Sequence, residues 1–429
     1  MKNYKTGAPC AHWPDCEGCP LIGTPYPKQL IHKFEKVKTS FLSAGFSANE
    51  LKKVLKKTRP SPVTLGYRNK AKWILDNDSN GKIIMGMYRP GTHEVINMPE
   101  CAVHAAPINL FSKFVREQLE EQAVPVGPHL GSKPTLRYLI VRYSFREKKM
   151  LVVFVTSAAQ VPGLEKVLQN IESNEVWKKS VVSIIQNINA EPGNVLLGEA
   201  NRFHKRSGEL TESMGPFRVP VGPLSFLQVN SLQASFLYKR VRELLGPGPF
   251  EAGLDLYSGV GLMAMHMAKS TKRILAVEEV GPAALEAITA ARRNKIGNVL
   301  ELCGDAIEGV QTFVSEWGTP SWVILNPPRK GCDEQVLKAI SAKSPKQLIY
   351  VSCNPQSLAR DLGLLLSDNK GFVLKSLEPV DMFPQTEHIE CIAYLESRGR
   401  PRLPRGGVFK PQQGGTSKHR VKNKSKAVH

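Results

Sequence analysis

A single cysteine stands between a strand-forming run and a helix start in the segment IYVSCNPQSLARDL, residues 349–362. Cys353 has three interpretations: a small buried apolar residue, a metal ligand or a nucleophile. Cysteine is among the most buried residue types, so the first interpretation is favoured when the segment is read alone. A nucleophile must be a thiolate, and the positive end of a helix beginning near Gln356 would stabilise that anion.

Four further cysteines could bind a metal or a cluster near the start of the chain. The segment CAHWPDCEGC spaces Cys10, Cys16 and Cys19 as C-x5-C-x2-C, and Cys101 follows in MPECAVH. Four thiolates can bind zinc or an iron–sulfur cluster, but structural zinc usually shows two C-x2-C pairs. The spacing alone leaves the metal open. Without a secretory signal, a disulfide framework is not expected.

A glycine turn follows the apolar run in LDLYSGVG, residues 254–261, where Gly259 and Gly261 permit a tight path. Glu278 ends the next strand, at the spacing of an acid that binds ribose hydroxyls. Asp305 ends the third strand, where it could accept a hydrogen bond from an adenine amine. The G-x-G-x-x-G pattern of dinucleotide oxidoreductases is incomplete, whereas S-adenosylmethionine has no pyrophosphate to bind. The pattern predicts a methyltransferase fold.

The segment VILNPPRKG, residues 323–331, follows at the fourth strand. Enzymes that methylate amino groups present the target nitrogen with such an Asn-Pro-Pro, followed by an aromatic residue that stacks on the flipped base. Arg329 stands in place of that aromatic residue. This difference counts against N-methylation of adenine.

The elements that must position these residues change in type along the chain. Short strands with turn residues between them occupy the middle and predict a mainly antiparallel α+β domain. After about residue 224, strands alternate with helices, which predicts a Rossmann-like, doubly wound α/β sheet. The predicted divisions are a cysteine-rich loop (1–27), a helical segment with a capping box at Ser47 and Glu50 (28–58), the central domain (59–224), the catalytic domain (225–397) and a basic disordered tail (398–429).

The formal net charge of +20 favours a polyanionic partner, with nucleic acid first. Ten of the positive charges follow Glu396, so the remaining chain is also basic. Neither a signal peptide nor an apolar run long enough to span a membrane is present in the sequence, which predicts a cytoplasmic protein without membrane contact.

The segments NPPRKG, YVSCNPQSLARDL and MFPQTEHIECIAYL, in this order and spacing, resemble the motifs of the S-adenosylmethionine-dependent RNA uracil-5-methyltransferases. SFLQVN resembles the segment that leads into their catalytic domain. YRNKAKW, YRPGTHEVINMPEC and NINAEPGNVLLGE resemble their central, RNA-binding domain. The resemblance covers residues 1–397 and implies a class I S-adenosylmethionine-dependent methyltransferase fold.

The resemblance implies that Cys353 is the nucleophile and that Glu390 removes a proton. It places the cofactor contacts at Gln228, Tyr257, Glu278, Asp305 and Asn326. Many members carry Asp where this chain has Asn326, which cannot carry charge, so a general-base role is not expected there. We interpret His388 as a packing residue.

The resemblance also selects a [4Fe–4S] cluster at Cys10, Cys16, Cys19 and Cys101, because the rRNA-directed members carry one on this pattern and the bacterial tRNA-directed enzyme lacks it. The expected substrate is 23S rRNA, bound by a monomer. Three alternatives are kept: a tRNA uracil-5-methyltransferase, a noncatalytic iron–sulfur RNA-binding protein, and a cytosine-5-methyltransferase. The last usually has Pro-Cys at the nucleophile, whereas Ser352 precedes Cys353.

Candidate RNA contacts are basic residues on the strands and turns of the central domain. They are Arg68, Lys70, Lys72, Arg89, Arg137 and Arg142.

Overall fold

The structure is a computed structural model that describes residues 9–129, 131, 134–191, 196–206, 208–223, 225, 227–367 and 371–398. All but the first residue of the predicted basic tail lie outside the described residues. The chain begins with helices α1 (Tyr26–Ser43) and α2 (Ala48–Val54). The predicted capping box at the start of α2 is confirmed, since Ser47 accepts from the backbone of Glu50 and the Glu50 side chain accepts from the backbone of Ser47.

The middle of the chain forms a seven-stranded sheet in the order β3-β2-β1-β4-β5-β6-β7. Its neighbouring strands are antiparallel except β5 and β6, which run parallel. One face packs on α3, α4 and α5, and the other contributes to a core shared with the second sheet. The elements are β1 (Lys70–Asn77), β2 (Ile83–Tyr88), β3 (Val95–Asn97), α3 (Ala106–Glu121), β4 (Leu136–Ser144), β5 (Lys149–Thr156), α4 (Leu164–Ser173), α5 (Trp177–Ser180), β6 (Val181–Ile188) and β7 (Ala200–Arg206).

A short hairpin, β8 (Thr211–Met214) with β9 (Phe217–Pro220), leads to the second sheet. The predicted alternation of strands and helices is confirmed there. The elements are α6 (Ser231–Leu245), β10 (Phe250–Leu256), α7 (Leu262–Met267), β11 (Thr271–Glu278), α8 (Gly281–Arg293), β12 (Val299–Cys303), α9 (Ala306–Trp317), β13 (Trp322–Leu325), α10 (Glu334–Lys343), β14 (Gln347–Ser352), α11 (Pro355–Leu366), β15 (Phe372–Val380) and β16 (Glu390–Ser397).

The second sheet has the order β12-β11-β10-β13-β14-β16-β15. Strands β10 to β14 are parallel, while β16 runs antiparallel between β14 and β15. The strand order reverses between β10 and β13, and ligands of doubly wound sheets bind at the carboxyl ends of the strands at such a point. The sheet therefore has the predicted Rossmann-like form.

Helix α1 packs against the second sheet rather than standing apart from it. Its buried Val37 and Phe41 belong to the same apolar core as Leu254, Leu325 and Leu395 of the strands. None of the helices in the described part of the chain combines the length and apolar character needed to cross a bilayer.

Candidate active site

The glycine turn after β10 is built by backbone that lies in the left-handed region. Gly259 and Gly261 have φ of +59° and +71°, and Tyr257 has φ of +60°. Such a conformation is uncommon for a non-glycine residue and persists only where its surroundings hold it. The Tyr257 phenol interacts with the thiol of Cys332, which places the ring beside the loop that follows β13.

Glu278 ends β11 and accepts two backbone hydrogen bonds. The Gly259 N–H donates at 2.8 Å and the Val280 N–H at 3.0 Å, one to each carboxylate oxygen. A carboxylate has about four acceptor positions, so it can still accept from the hydroxyls of a ribose. The hydrogen bond from Gly259 therefore holds the Glu278 carboxylate against the predicted glycine turn.

The other predicted cofactor residues lie near the same edge of the sheet. Asp305 follows β12 and caps α9 by accepting from the Glu308 N–H at 2.8 Å. Asn326 follows β13, and its backbone N–H donates to the Leu256 carbonyl at 3.3 Å. Gln228 is half-buried in the segment before α6, where its carbonyl accepts from the Asn69 side chain at 3.2 Å.

Two acids, the buried Asp255 and the half-buried Glu301, lie below the glycine turn, and neither was predicted as a site residue. Burial raises the pKa of Asp255 to about 7, and its Oδ2 accepts from the Ala264 N–H at 2.9 Å. Burial, followed by the charges of Asp255 and Glu278, raises the pKa of Glu301 to about 8. Glu301 lies in mid-strand with no motif around it, so its sequence gives no signal of this position.

Cys353 directly follows β14 and precedes α11 by two residues. The side chain of Asn354 caps that helix by accepting from the Gln356 N–H at 3.1 Å. Strands β14 and β16 pair antiparallel, with Ser352 opposite Cys391. One step further along this register, Cys353 stands opposite Glu390, the first residue of β16. The topology thus brings the two predicted catalytic side chains together.

The electrostatics of this pair depend on burial and on one arginine. Burial, with a further contribution from the Glu390 charge, raises the pKa of the Cys353 thiol, while Arg329 acts in the opposite direction. Burial raises the pKa of Glu390 to about 8, and Arg329 again lowers it in part. The Arg329 side chain thus lies near enough to the Cys353 thiol to favour the thiolate.

Arg329 is held in place by the helix that follows Cys353. The Asn354 side chain donates to the Arg329 carbonyl at 3.0 Å, and the Arg360 guanidinium donates to the Lys330 carbonyl at 2.8 Å. Asp361 accepts from the Cys332 N–H at 2.8 Å. In the sequence, Arg329 is notable only for replacing an aromatic residue after Asn-Pro-Pro, so its place beside Cys353 was not predicted.

His388 is exposed, and its ring contacts the ring of Phe383 edge-on at 5.9 Å. Burial and the nearby Arg329 lower its pKa. The packing role of His388 stays a prediction, since its one ring contact lies at the surface of the site.

The four early cysteines lie close to one another and form no disulfide. Cys16 and Cys19 pack against the buried Cys101, and burial, with the neighbouring thiols, raises the pKa of Cys19 to about 12. Cys10 also acts electrostatically on Cys101. The donor chemistry suits an iron–sulfur cluster. Nevertheless, in the part of the chain that is described, no group of three or more His, Cys, Asp or Glu side chains could hold a metal ion.

Two of the candidate RNA contacts are buried, which excludes them from a binding surface. Arg137 is 2% exposed and donates to the carbonyls of Pro128, Asn189 and Glu191. Arg142 is 4% exposed and donates to the Ser225 carbonyl. Of the others, Lys72 is exposed, Arg68 and Lys70 are half-buried, and Arg89 pairs with Glu94 at 3.0 Å.

The sequence and the structure are both similar to those of RNA methyltransferases. Residues 225–398 match the tRNA (uracil-5-)-methyltransferase family. An uncharacterized RNA methyltransferase of Geobacter sulfurreducens is 36% identical over 97% of this chain and 82% of its own length. Another from Clostridium tetani is 31% identical over 91% and 83%. The structure of a Pyrococcus abyssi tRNA (uracil-54, C5)-methyltransferase in complex with S-adenosyl-L-homocysteine is 25% identical, with a TM-score of 0.71 over 89% of this chain and 84% of that one.

Proposed function

The chain belongs to the RNA uracil-5-methyltransferase family, with its class I S-adenosylmethionine-dependent fold, and we propose that it forms 5-methyluridine in 23S rRNA by covalent catalysis at Cys353. The observation that carries this proposal is the register of β14 and β16, which sets Cys353 opposite Glu390 beside Arg329. A thiol, a carboxylate and a cation are the groups that this reaction needs.

The chemistry begins from the poor nucleophilicity of carbon-5 of uracil. The Cys353 thiolate adds to carbon-6, which forms an S–C bond and an enolate. Carbon-5 would then take the methyl group of S-adenosylmethionine, whose S–CH3 bond breaks as S-adenosylhomocysteine leaves. Glu390 removes the proton from carbon-5, the carbon-5–carbon-6 double bond re-forms and the S–C bond breaks. Cys353 leaves as a thiolate, so the enzyme needs only to lose the proton held by Glu390.

Arg329 supplies the positive charge that this cycle requires at two steps. A guanidinium beside Cys353 favours the thiolate before addition and again after elimination. The same charge lies near Glu390 and favours the ionised form that accepts the proton. This assignment gives a physical reason for an arginine where an adenine-methylating enzyme would carry an aromatic ring.

S-adenosylmethionine would bind along the carboxyl ends of β10 to β13. We assign the ribose to Glu278, the adenine to Asp305, and further contacts to Gln228, Tyr257 and Asn326. The support is the clustering of the strand ends and the free acceptor capacity of Glu278, whose two oxygens each accept only one protein N–H.

We further propose that Cys10, Cys16, Cys19 and Cys101 hold a [4Fe–4S] cluster. When bound, the cluster would cross-link the N-terminal loop to the central sheet, and the methyl transfer requires no electron from it. The support is that the four thiols lie near one another, with Cys16 and Cys19 packed against the buried Cys101. The iron and acid-labile sulfide content of anaerobically purified protein tests this. Stoichiometric zinc instead, or an unchanged content in Cys101→Ser, would contradict it.

The rRNA assignment rests on the four-cysteine pattern, since the bacterial tRNA-directed enzyme lacks it. A second candidate, tRNA methylation, is favoured by the likeness to the Pyrococcus abyssi tRNA enzyme. Mapping 5-methyluridine in rRNA and tRNA from cells with and without the gene separates the two. We expect one 23S rRNA position to lose its methyl group. A loss confined to tRNA would replace the rRNA assignment, and no loss in either would favour a noncatalytic RNA-binding role.

A further inference from the structure

The loop of residues 381–389, between β15 and β16, leads directly into Glu390. Within it, Gln385 has φ of +71°, a left-handed conformation that is rare for a side chain of this kind. A residue held in such a conformation depends on its surroundings to keep it there. The groups that bind this loop therefore restrain the segment that enters β16 at Glu390.

Every polar group of Gln385 is bound by the N-terminal part of the chain. Its backbone N–H donates to the side-chain oxygen of Gln29 at 3.0 Å, and the Gln29 amide donates back to its side-chain oxygen at 2.7 Å. Its carbonyl accepts from the Leu21 N–H at 3.0 Å, and its side-chain amide donates to the Thr64 carbonyl at 3.2 Å. Gln29 and Gln385 are both buried, at 1% and 5% exposure.

A second attachment holds the start of the loop. The Lys33 ammonium lies 2.6 Å from the Asp381 carboxylate, and neither side chain has exposed surface. Lys33 also donates to the Phe383 carbonyl at 3.0 Å, and the Tyr26 hydroxyl donates to Asp381 at 2.8 Å. Separating Lys33 from Asp381 would leave an uncompensated buried charge, so other positions of this loop are strongly disfavoured.

We propose that Gln29 and Lys33 of helix α1 are positioning residues for Glu390. They do not touch the reacting atoms; they fix the loop that sets the carboxylate. This inference rests on the proposed role of Glu390 in removing the carbon-5 proton. Because that proton leaves after methyl transfer, misplacement of Glu390 would slow elimination and leave the addition of Cys353 intact.

The test compares Gln29→Ala with Val37→Ala in the full chain. Val37 is buried on the same helix but packs only into the apolar core, so its truncation controls for general destabilisation. For Gln29→Ala we expect kcat to fall about 10- to 100-fold. Because the slowed step follows covalent addition, KM for RNA should fall with kcat, and kcat/KM should change much less. We also expect a covalent RNA–protein adduct that survives SDS, formed with ordinary uridine because elimination is slow. Val37→Ala should form none.

Two further variants keep the outcome decisive. Glycine adopts the positive φ of residue 385 without strain, and Gln385→Gly removes the side-chain hydrogen bond with Gln29. This variant replaces Gln29→Ala if the latter fails to fold. Lys33→Met removes the second attachment, the ion pair with Asp381, and is expected to accumulate the same covalent adduct. A wild-type kcat and no adduct in all of them would overturn the positioning role. If the wild-type enzyme forms no adduct with 5-fluorouridine RNA either, the proposed function fails first.

Discussion

Cys353 and Glu390 occupy opposite positions at the ends of two antiparallel strands, one register step beyond the pair of Ser352 and Cys391. Both lie beside the guanidinium of Arg329. Thus the group proposed to attack carbon-6 and the group proposed to deprotonate carbon-5 are set by a single strand pairing.

Replacing the nucleophile should abolish covalent trapping. With RNA that carries 5-fluorouridine, the fluorine cannot leave as a proton, so the wild-type adduct persists and is visible on a denaturing gel. We expect no adduct from Cys353→Ala. The exposed Cys303 offers a matched control, and Cys303→Ala should trap as the wild type does. Equal trapping by Cys353→Ala would remove Cys353 from the mechanism.

The rate at which methylated RNA is released from the enzyme should rise with pH through the titration of Glu390, because Glu390 acts in the elimination that follows methyl transfer. Its pKa is raised to about 8, mainly by burial, and only the ionised form can accept the carbon-5 proton. We therefore expect single-turnover rates to increase from pH 7 to pH 9. In Glu390→Gln we expect turnover to fall at least about 100-fold and the adduct with ordinary uridine to accumulate. A rate that falls over this pH range would contradict the assignment.

The same carboxyl should make stability depend on pH. Below the ordinary pKa of 4.5 it is protonated in both states, whereas between 4.5 and about 8 the unfolded chain ionises and the folded chain stays protonated. The folded state then binds more protons, so this contribution to the free energy of unfolding decreases as pH rises. The melting temperature of Glu390→Gln, relative to wild type, should therefore rise from pH 5 to pH 8. A constant difference would exclude this effect.

Removing the charge of Arg329 should make Cys353 less reactive at neutral pH. Because Arg329 favours the thiolate, Arg329→Met should shift the pH dependence of alkylation at Cys353 upward, with about a tenfold slower rate for each unit of pKa. Peptide mass spectrometry separates Cys353 from the other cysteines. Lys330→Met, at the exposed neighbouring position, is the control. An unshifted profile in Arg329→Met would mean that the arginine serves RNA binding instead.

Truncating Glu278 should weaken cofactor binding. Glu278→Ala leaves the N–H groups of Gly259 and Val280 without their acceptor and removes the proposed ribose contact. We expect the Kd for S-adenosylhomocysteine, measured by calorimetry, to rise at least about tenfold. The adjacent, exposed Glu279 gives a control of the same charge, and Glu279→Ala should bind normally. Similar affinities would place the ribose elsewhere.

The part of the site that lies at the ends of parallel strands was predictable from the sequence. Gly259, Glu278 and Asp305 follow three successive strands, and parallel strands of one sheet end at the same edge. Local order along the chain was enough to bring these residues together. Cys353 was assigned by family resemblance rather than by pattern, since its opposition to Glu390 depends on β16 being inserted between β14 and β15.

The central sheet shows why charged strand residues were misjudged. The sequence TLRYLIVRYS alternates enough to suggest a solvated face, but every residue of β4 is buried. The strand lies in the middle of the sheet with both faces covered, so Arg137 and Arg142 turn their guanidinium groups to backbone carbonyls. Whether a strand is central or at an edge depends on the topology of the whole sheet, so it cannot be predicted from the sequence of that strand alone.

The buried pair of Lys33 and Asp381 joins positions that are 348 residues apart. During synthesis, the ammonium of Lys33 leaves the ribosome long before its partner, and an unpaired charge does not bury itself in an apolar core. At ordinary elongation rates the delay is roughly 17 to 70 s. We therefore expect the N-terminal helix to dock late, after the second sheet has emerged. A nascent or truncated chain would carry Cys353 without the ordered segment that leads to Glu390, so the proposed site is complete only when the two ends of the chain meet.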